Sequence, residues 1–194
     1  DDVAADVLGG DPVLAHVSVT NGGAAALPGT EVAVEVTAGA DPTVILRQSV
    51  VLDLPPGQPV GATLTLATGS LAPGLCPSFL RVGSPPVTLA HKTIHVHAAI
   101  VPPSVDSPAD GSSVATAKPT LRVNNGSAAD ASALTYRFEL YSDAALTQLV
   151  GTSGEVPEGL GKTAWNVFMP LVEDARYYWR CRASDGFSAS PWTP

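Results

Sequence analysis

The clearest pattern in the chain is a strict alternation of side chains between Tyr177 and Ser184. One face of this segment carries aromatic and apolar side chains, at Tyr177, Trp179, Cys181 and Ala183. The other face carries Tyr178, Arg180 and Arg182. A period of two with one apolar face predicts a half-buried β-strand. Cys181 is therefore expected inside the core, where a thiol behaves as a small hydrophobic group.

Short alternating or apolar segments recur throughout the first hundred residues. The predicted strands lie at residues 13–20, 31–36, 43–46, 49–54, 64–66, 79–82 and 94–98. Gly and Pro turn signals separate many of them, as at Asn21-Gly22-Gly23, Leu27-Pro28-Gly29, Pro55-Pro56-Gly57 and Leu71-Ala72-Pro73-Gly74. Short strands with turns every eight to twelve residues or so are typical of a β-sandwich.

The second half repeats this organisation after a stiff junction. Its predicted strands lie at residues 119–123, 134–140, 146–152, 163–167 and 174–184. Pro102 and Pro103 disfavour helix and stiffen the connection before them. No segment shows sustained helical periodicity, and a chain of 194 residues is long enough for two domains of about 100 residues each. The sequence predicts an all-β fold of two tandem antiparallel β-sandwiches, at residues 1–100 and 101–194.

The first half resembles bacterial immunoglobulin-like modules of the cell-adhesion-related type. The resemblance is carried by residues 17–23 (VSVTNGG), 54–58 (LPPGQ) and 71–74 (LAPG). Those modules place a Tyr soon after the Leu-x-Pro-Gly turn, and Cys76 stands near that position here. The resemblance implies an immunoglobulin-like sandwich that lacks the hydrogen bond of this corner.

The second half resembles fibronectin type III-like modules. The resemblance is carried by residues 103–111 (PSVDSPADG) and by the strand that begins near Tyr177, six residues after Leu171. In such sandwiches a Tyr at this place caps a corner through its hydroxyl. These modules run on after a Ser-Pro-Trp such as residues 190–192, so the last strand is expected to be short or missing. The sixth strand would then have a free edge.

Charge limits the classes of partner. The formal net charge is −8, and acidic residues outnumber basic ones in both halves. Nucleic acid and anionic membrane surfaces are unfavourable partners for such a chain. No apolar run reaches the roughly 18 residues of a membrane span. The start at Asp1-Asp2 without a signal-peptide core predicts a mature or excised piece, and the composition favours an extracellular or cell-surface location.

Two cysteines, Cys76 and Cys181, fall one in each half. A disulfide framework inside either half is therefore excluded. The spacing leaves open whether the two thiols are free or bridged to each other.

Three histidines form the candidate metal-ligating group. His91, His95 and His97 are separated by even numbers of residues. On one strand they would therefore lie on one face, opposite Ile94 and Val96. His-x-His on a strand can place two imidazoles on one zinc or copper ion. The alternative is a solvated strand face on which histidine recurs.

The other polar groups that could have a function also have a purely structural explanation. Tyr178, Arg180 and Arg182 could form a partner-binding face, or Arg180 and Arg182 could pair with Glu139 and Arg137 on a neighbouring strand. Asn125-Gly126-Ser127 is a glycosylation sequon and also a good turn. Asp106 and Asp110 do not match a calcium loop and favour turn chemistry.

The expected function is that of a non-catalytic extracellular module of a surface protein or filament. Such a module would bind protein or polysaccharide through sheet edges and loops, without a cofactor. The chain has no Gly-x-Ser-x-Gly elbow, His-Glu-x-x-His helix or phosphate loop, so an enzyme is not expected. Two accounts of the free edge of the sixth strand stay open: strand addition from another copy with residues 2–8 as donor, or a longer native chain whose continuation supplies the missing strand. The alternatives are spacer domains of a larger secreted enzyme and a metal-binding module using the histidines.

Overall fold

Every regular element of the described chain except one 3₁₀ turn, Thr68–Ser70, is a β-strand. The computed structural model describes residues 5–39, 41–131 and 133–193. It divides into two units, Asp1–Ala98 and Ala99–Pro194. The all-β prediction and the two antiparallel sandwiches are confirmed. That each unit folds by itself stays a prediction.

Unit 1 consists of two sheets. Its described strands are β1 (Ala5–Leu8), β2 (Pro12–Thr20), β3 (Leu27–Thr37), β4 (Val44–Leu54), β5 (Pro59–Ala67), β6 (Gly74–Val82) and β7 (Val87–His97). Five of them form a sheet in the order β1-β7-β6-β3-β4, and β2 pairs with β5 in the other. The pairing of β1 with β7 is parallel, and the other pairings between these named strands are antiparallel.

The core of unit 1 follows the alternation in the sequence. Val32, Val34 and Val36 of β3 are buried, while Glu31 and Glu35 lie on the opposite face. Leu66, Cys76, Ile94 and Val96 contribute to the same interior. The buried Thr68 hydroxyl accepts the Gly10 N–H at 3.1 Å and donates to the Asp11 carbonyl at 2.6 Å. These bonds hold the chain where it passes from β1 in one sheet to β2 in the other.

Two details of unit 1 differ from the sequence expectation. The predicted strands 43–46 and 49–54 form one strand, β4, because Arg47 and Gln48 continue the ladder with Glu35 and Val34. Their exposure at the sheet edge hides the alternation that identifies a strand. Residues 5–8 were expected to donate a strand to another copy, but they pair with β7 of their own unit. That expectation is wrong for these residues, and residues 2–4 lie outside the described chain.

Unit 2 has the strands β8 (Ser104–Ser107), β9 (Thr120–Asn124), β10 (Thr135–Tyr141), β11 (Leu149–Thr152), β12 (Val156–Pro157), β13 (Lys162–Asn166) and β14 (Tyr178–Ser184). One sheet has the order β13-β9-β8. In the other, β10 pairs with β11 and β12 along one edge and with β14 along its length. Tyr136, Phe138 and Cys181 fill the core without solvent exposure. The alternation around Cys181 therefore gave its orientation correctly.

Turn geometry shortens two predicted strands of unit 2. β14 begins at Tyr178 rather than at Asp174, which has a φ of 55°. β11 begins at Leu149, because Leu146 also has a φ of 55°. A positive φ ends the extended conformation, and Asp tolerates it better than most residues.

The residues after β14 close its outer edge. The Ser190 N–H donates to the Ala183 carbonyl, and the Thr193 N–H to the Cys181 carbonyl, both at 2.8 Å. The hydroxyls of Ser190 and Thr193 accept the N–H groups of Ala183 and Cys181 at 3.0 Å each. No strand is assigned after Ser184 in the part of the chain that the structure describes, yet the expected free edge is wrong at Cys181 and Ala183. There the backbone N–H groups and the hydroxyls of Ser190 and Thr193 take the place of a partner strand.

Candidate functional site

The histidine pair of β7 meets a carboxylate from β1 on the outer face of the five-stranded sheet. His95 and His97 share this face because they are two residues apart on a strand. The parallel register places Asp6 opposite His95. The inward positions between them, Ile94 and Val96, belong to the core. Asp6, His95 and His97 are referred to below as the histidine–carboxylate cluster.

The three side chains of this cluster converge on one point. Asp6 Oδ1 lies 3.4 Å from His95 Nδ1 and 3.2 Å from His97 Nε2. The two imidazole centroids are 3.9 Å apart, with ring planes inclined by 43°. The exposed fraction of the side chain falls from 49% at Asp6 to 28% at His95 and 11% at His97. The cluster is therefore open to solvent on the side of Asp6.

The third predicted ligand, His91, does not join this cluster. It pairs with Phe79 on β6 and stands four residues from His95, which is about 13 Å along a strand. Of the three histidines that the sequence offered as metal-ligand candidates, the structure brings His95 and His97 together with Asp6, and metal binding itself stays a prediction. Sequence reasoning missed Asp6 because 91 positions separate it from His97. Only the parallel pairing of the terminal strand brings them together.

The stripe of Tyr178, Arg180 and Arg182 lies on the outer face of β14. Arg180 donates from Nε and Nη2 to Glu139 Oε2, at 3.0 and 2.8 Å. Its guanidinium also stacks over the Trp192 ring at 4.2 Å from the centroid, and that of Arg182 does so at 4.6 Å. Arg180 thus forms a cross-strand ion pair with Glu139, and the Trp192 ring lies against the guanidinium groups of Arg180 and Arg182.

The buried carboxylate of Glu139 is the centre of this arrangement. Burial by itself raises the pKa of Glu139, but the hydrogen bonds from Tyr141 and Arg180 and the charge of Arg180 outweigh it and lower the pKa. Tyr141 donates its hydroxyl to Glu139 at 2.6 Å. The carboxylate stays charged, and its bonds join β10 to β14.

Two further sequence candidates lie in hydrogen-bonded loops. Asn125 Nδ2 donates to the Gly159 carbonyl at 2.7 Å, and its Oδ1 accepts from the Thr163 hydroxyl at 2.9 Å. The nitrogen that a glycan would need is thus bonded within the unit. Asp106 forms an ion pair with Lys162, as expected of a surface carboxylate rather than of a calcium ligand.

The sheet of unit 1 has a long edge at β4. Among the described strands, β4 hydrogen-bonds only to β3. Val44, Ile45 and Val51 expose 42%, 36% and 65% of their surface. Nearby, Arg47 pairs with Glu31 at 2.8 Å and with Glu35 at 3.2 Å. Along this edge, exposed apolar side chains lie beside backbone groups that have no ladder partner among the described strands.

Comparisons with known proteins give structural neighbours only. No protein-family model and no curated protein sequence matches the chain. Among solved structures, it is similar to the chicken CNTN1 FN1-FN3 domains at 14% identity and a TM-score of 0.41, over 99% of this chain and 60% of that one. It therefore spans less than two thirds of that structure.

Two further neighbours contain immunoglobulin domains. DIP-gamma IG1+IG2 aligns at 16% identity and a TM-score of 0.39, over 98% of this chain and 89% of that chain. A complex of Dpr11 IG1 with DIP-gamma aligns at 14% identity and a TM-score of 0.33, over 98% and 94%. Immunoglobulin and fibronectin type III structures are thus both among the neighbours. The bacterial origin stays a prediction. The described residues contain no helix that is long and apolar enough to cross a membrane.

Proposed function

We propose that this chain is a non-catalytic structural or adhesive module of a surface protein or filament outside the cell. It binds a partner protein or polysaccharide through sheet edges and loops, and the edge of β4 is the principal contact. The single observation that supports this proposal is the eleven-residue strand Val44–Leu54 with one ladder partner among the described strands.

An edge of this kind accepts another strand because its outward N–H and C=O groups repeat at the spacing of a β-ladder. The main-chain bonds supply affinity, and exposed side chains such as Val51 and Ile45 supply contact area. The expected edge at β14 is already closed by Ser190 and Thr193. We therefore place strand addition at β4, with a second copy of the chain as the first partner to test.

The face beside this edge keeps the contact selective. Glu31 and Glu35 hold Arg47, and Glu35 also pairs with Arg81 at 3.1 Å. Charges along an edge disfavour indiscriminate strand pairing. A partner strand must therefore match both the apolar positions and this ion-pair network.

The test uses the purified chain as its own probe. Sedimentation velocity over a wide concentration range should show reversible self-association of the natural sequence. Val51→Lys should weaken it, because a Lys on an edge strand opposes strand pairing. Val172→Lys, at a similarly exposed valine in unit 2, is the matched control and should leave self-association unchanged.

The same proteins are then applied to a polysaccharide array. Binding that survives Val51→Lys would assign the adhesive contact to the loops. A natural chain that stays monomeric at every concentration and binds no polysaccharide would contradict the proposal. Equal weakening by Val172→Lys would contradict the placement at β4.

A further inference from the structure

We propose that Asp6, His95 and His97 form a binding site for one Zn²⁺ ion on the outer face of the five-stranded sheet. This site is separate from the proposed contact at β4, since β1 and β4 are the opposite edges of that sheet. Neither proposal depends on the other.

The backbone arranges these three ligands without help from loops. Asp6 and His95 are register partners in the parallel ladder, and His97 follows two residues later on the same face. The Gly9 N–H donates to the His97 carbonyl at 2.9 Å, which extends the pairing of β1 and β7 beyond the last ligand. Ligands on paired strands keep their spacing better than ligands on loops.

The separations between donor atoms suit a tetrahedral zinc ion. One ligand atom from each residue lies within 4.8 Å of the others. Zn–N and Zn–O bonds of about 2.0–2.1 Å place tetrahedral ligands about 3.4 Å apart. The measured distances from Asp6 Oδ1 are 3.4 Å to His95 Nδ1 and 3.2 Å to His97 Nε2. The third separation, between the ligand nitrogens of His95 and His97, is also within 4.8 Å.

The chemistry of the donor set selects the class of ion. Two imidazole nitrogens and one carboxylate oxygen favour zinc and related transition metals over Ca²⁺ and Mg²⁺, which prefer oxygen ligands alone. Three protein ligands leave a fourth position for water. The half-exposed Asp6 gives the ion a path from solvent, and the net charge of −8 attracts cations.

A simpler account of the same geometry needs no ion. Asp6 would then serve only as a hydrogen-bond acceptor for the two imidazoles, at the distances already given. The two accounts differ in what Asp6→Asn does. An amide oxygen still accepts hydrogen bonds, but it is a much weaker zinc ligand than a carboxylate.

The experiment titrates ZnCl₂ into the chelator-treated full chain by calorimetry. We expect one ion per chain. His95→Ala, His97→Ala and Asp6→Asn should each weaken zinc binding at least tenfold. His91→Ala removes a histidine from the same strand and should leave the affinity unchanged. Circular dichroism checks that each variant folds, and Asp6→Asn keeps the test decisive if a histidine variant does not.

A second readout is the thermal unfolding of the natural chain. Zinc that binds only the folded state should raise the melting temperature by several degrees. The proposal is overturned if no zinc binds at about 1 mM, or if His91→Ala weakens binding as much as His95→Ala. It is also overturned if Asp6→Asn leaves the zinc affinity unchanged, since Asp6 would then be only a hydrogen-bond acceptor.

Discussion

The Val172 N–H donates a hydrogen bond of 3.0 Å to the hydroxyl oxygen of Tyr177. This is the tyrosine corner that the spacing between Leu171 and Tyr177 predicts, and it fixes the chain just before β14. In unit 1 the corresponding position is Cys76, whose thiol lies 3.9 Å from the Ala72 carbonyl. A thiol is a weak donor, so unit 1 has only a weak counterpart of this bond.

The hydroxyl of Tyr177 should stabilise unit 2 measurably. Tyr177→Phe removes the acceptor for the Val172 N–H and should lower the free energy of unfolding by about 1 kcal/mol. Urea unfolding followed by tryptophan fluorescence measures this change. Tyr178→Phe, one residue further on the other face of β14, is the control. An equal loss in both variants would contradict the role of the corner.

The buried thiol of Cys181 should make stability depend on alkaline pH. Burial raises the pKa of Cys181 to about 12, from an ordinary 9.0. The folded state thus holds its proton where the unfolded state has lost it, so the contribution is complete below pH 9 and is lost as pH rises towards 12. The difference in unfolding free energy between the natural chain and Cys181→Ala should fall by up to about 1.4 kcal/mol per pH unit in this range.

The same burial should protect Cys181 from reagents. With Cys76→Ser as background, a disulfide reagent at pH 8 should label Cys181 only after denaturant is added, because the thiolate is the reactive form. Rapid labelling of the folded protein would show that the inward face of β14 is assigned incorrectly. Both cysteines are free and buried in the structure.

The carboxylate of Glu139 should stabilise unit 2 at neutral pH and lose this effect in acid. Its folded pKa is lower than the ordinary 4.5, so the contribution is present above that value and disappears as pH falls through the folded pKa. Glu139→Gln should cost about 1–3 kcal/mol at pH 7, because Arg180 loses its charged partner. Glu31→Gln, at an exposed ion pair, is the control and should have little effect. If Glu139→Gln lowers the free energy of unfolding by the same amount at every pH, the charge of the carboxylate is not the source of the stabilisation.

Each unit should fold without the other. Unit 2 has its own core cluster around Phe138 and Trp165, and unit 1 has one around Val36 and Leu66. Fragments 1–98 and 99–194 should each unfold in one cooperative transition with denaturant. A fragment that binds a hydrophobic dye and melts without cooperativity would show that the boundary is misplaced.

Much of the architecture could be predicted from local patterns. The alternation around Cys181 gave the strand and its buried face, because side-chain direction in a strand has a period of two. Pro102 and Pro103 predicted a domain junction near residue 100, and this boundary stays a prediction that the fragments above test. The edge strand β4 was predicted as two pieces, since the solvated Arg47 and Gln48 carry no apolar signal.

The candidate site depended on pairing between distant strands, which periodicity does not contain. The sequence by itself determined that His95 and His97 share a face, because they are two residues apart on a strand. Only the tertiary structure decided that Asp6 joins them and that His91 does not, through the parallel register of β1 on β7. It also decided that Ser190 and Thr193 close the edge of β14. Both outcomes depend on hydrogen bonds between segments that are distant in the sequence. Local periodicity gives the face of each strand but not its partner, and the register is fixed only when the sheet forms.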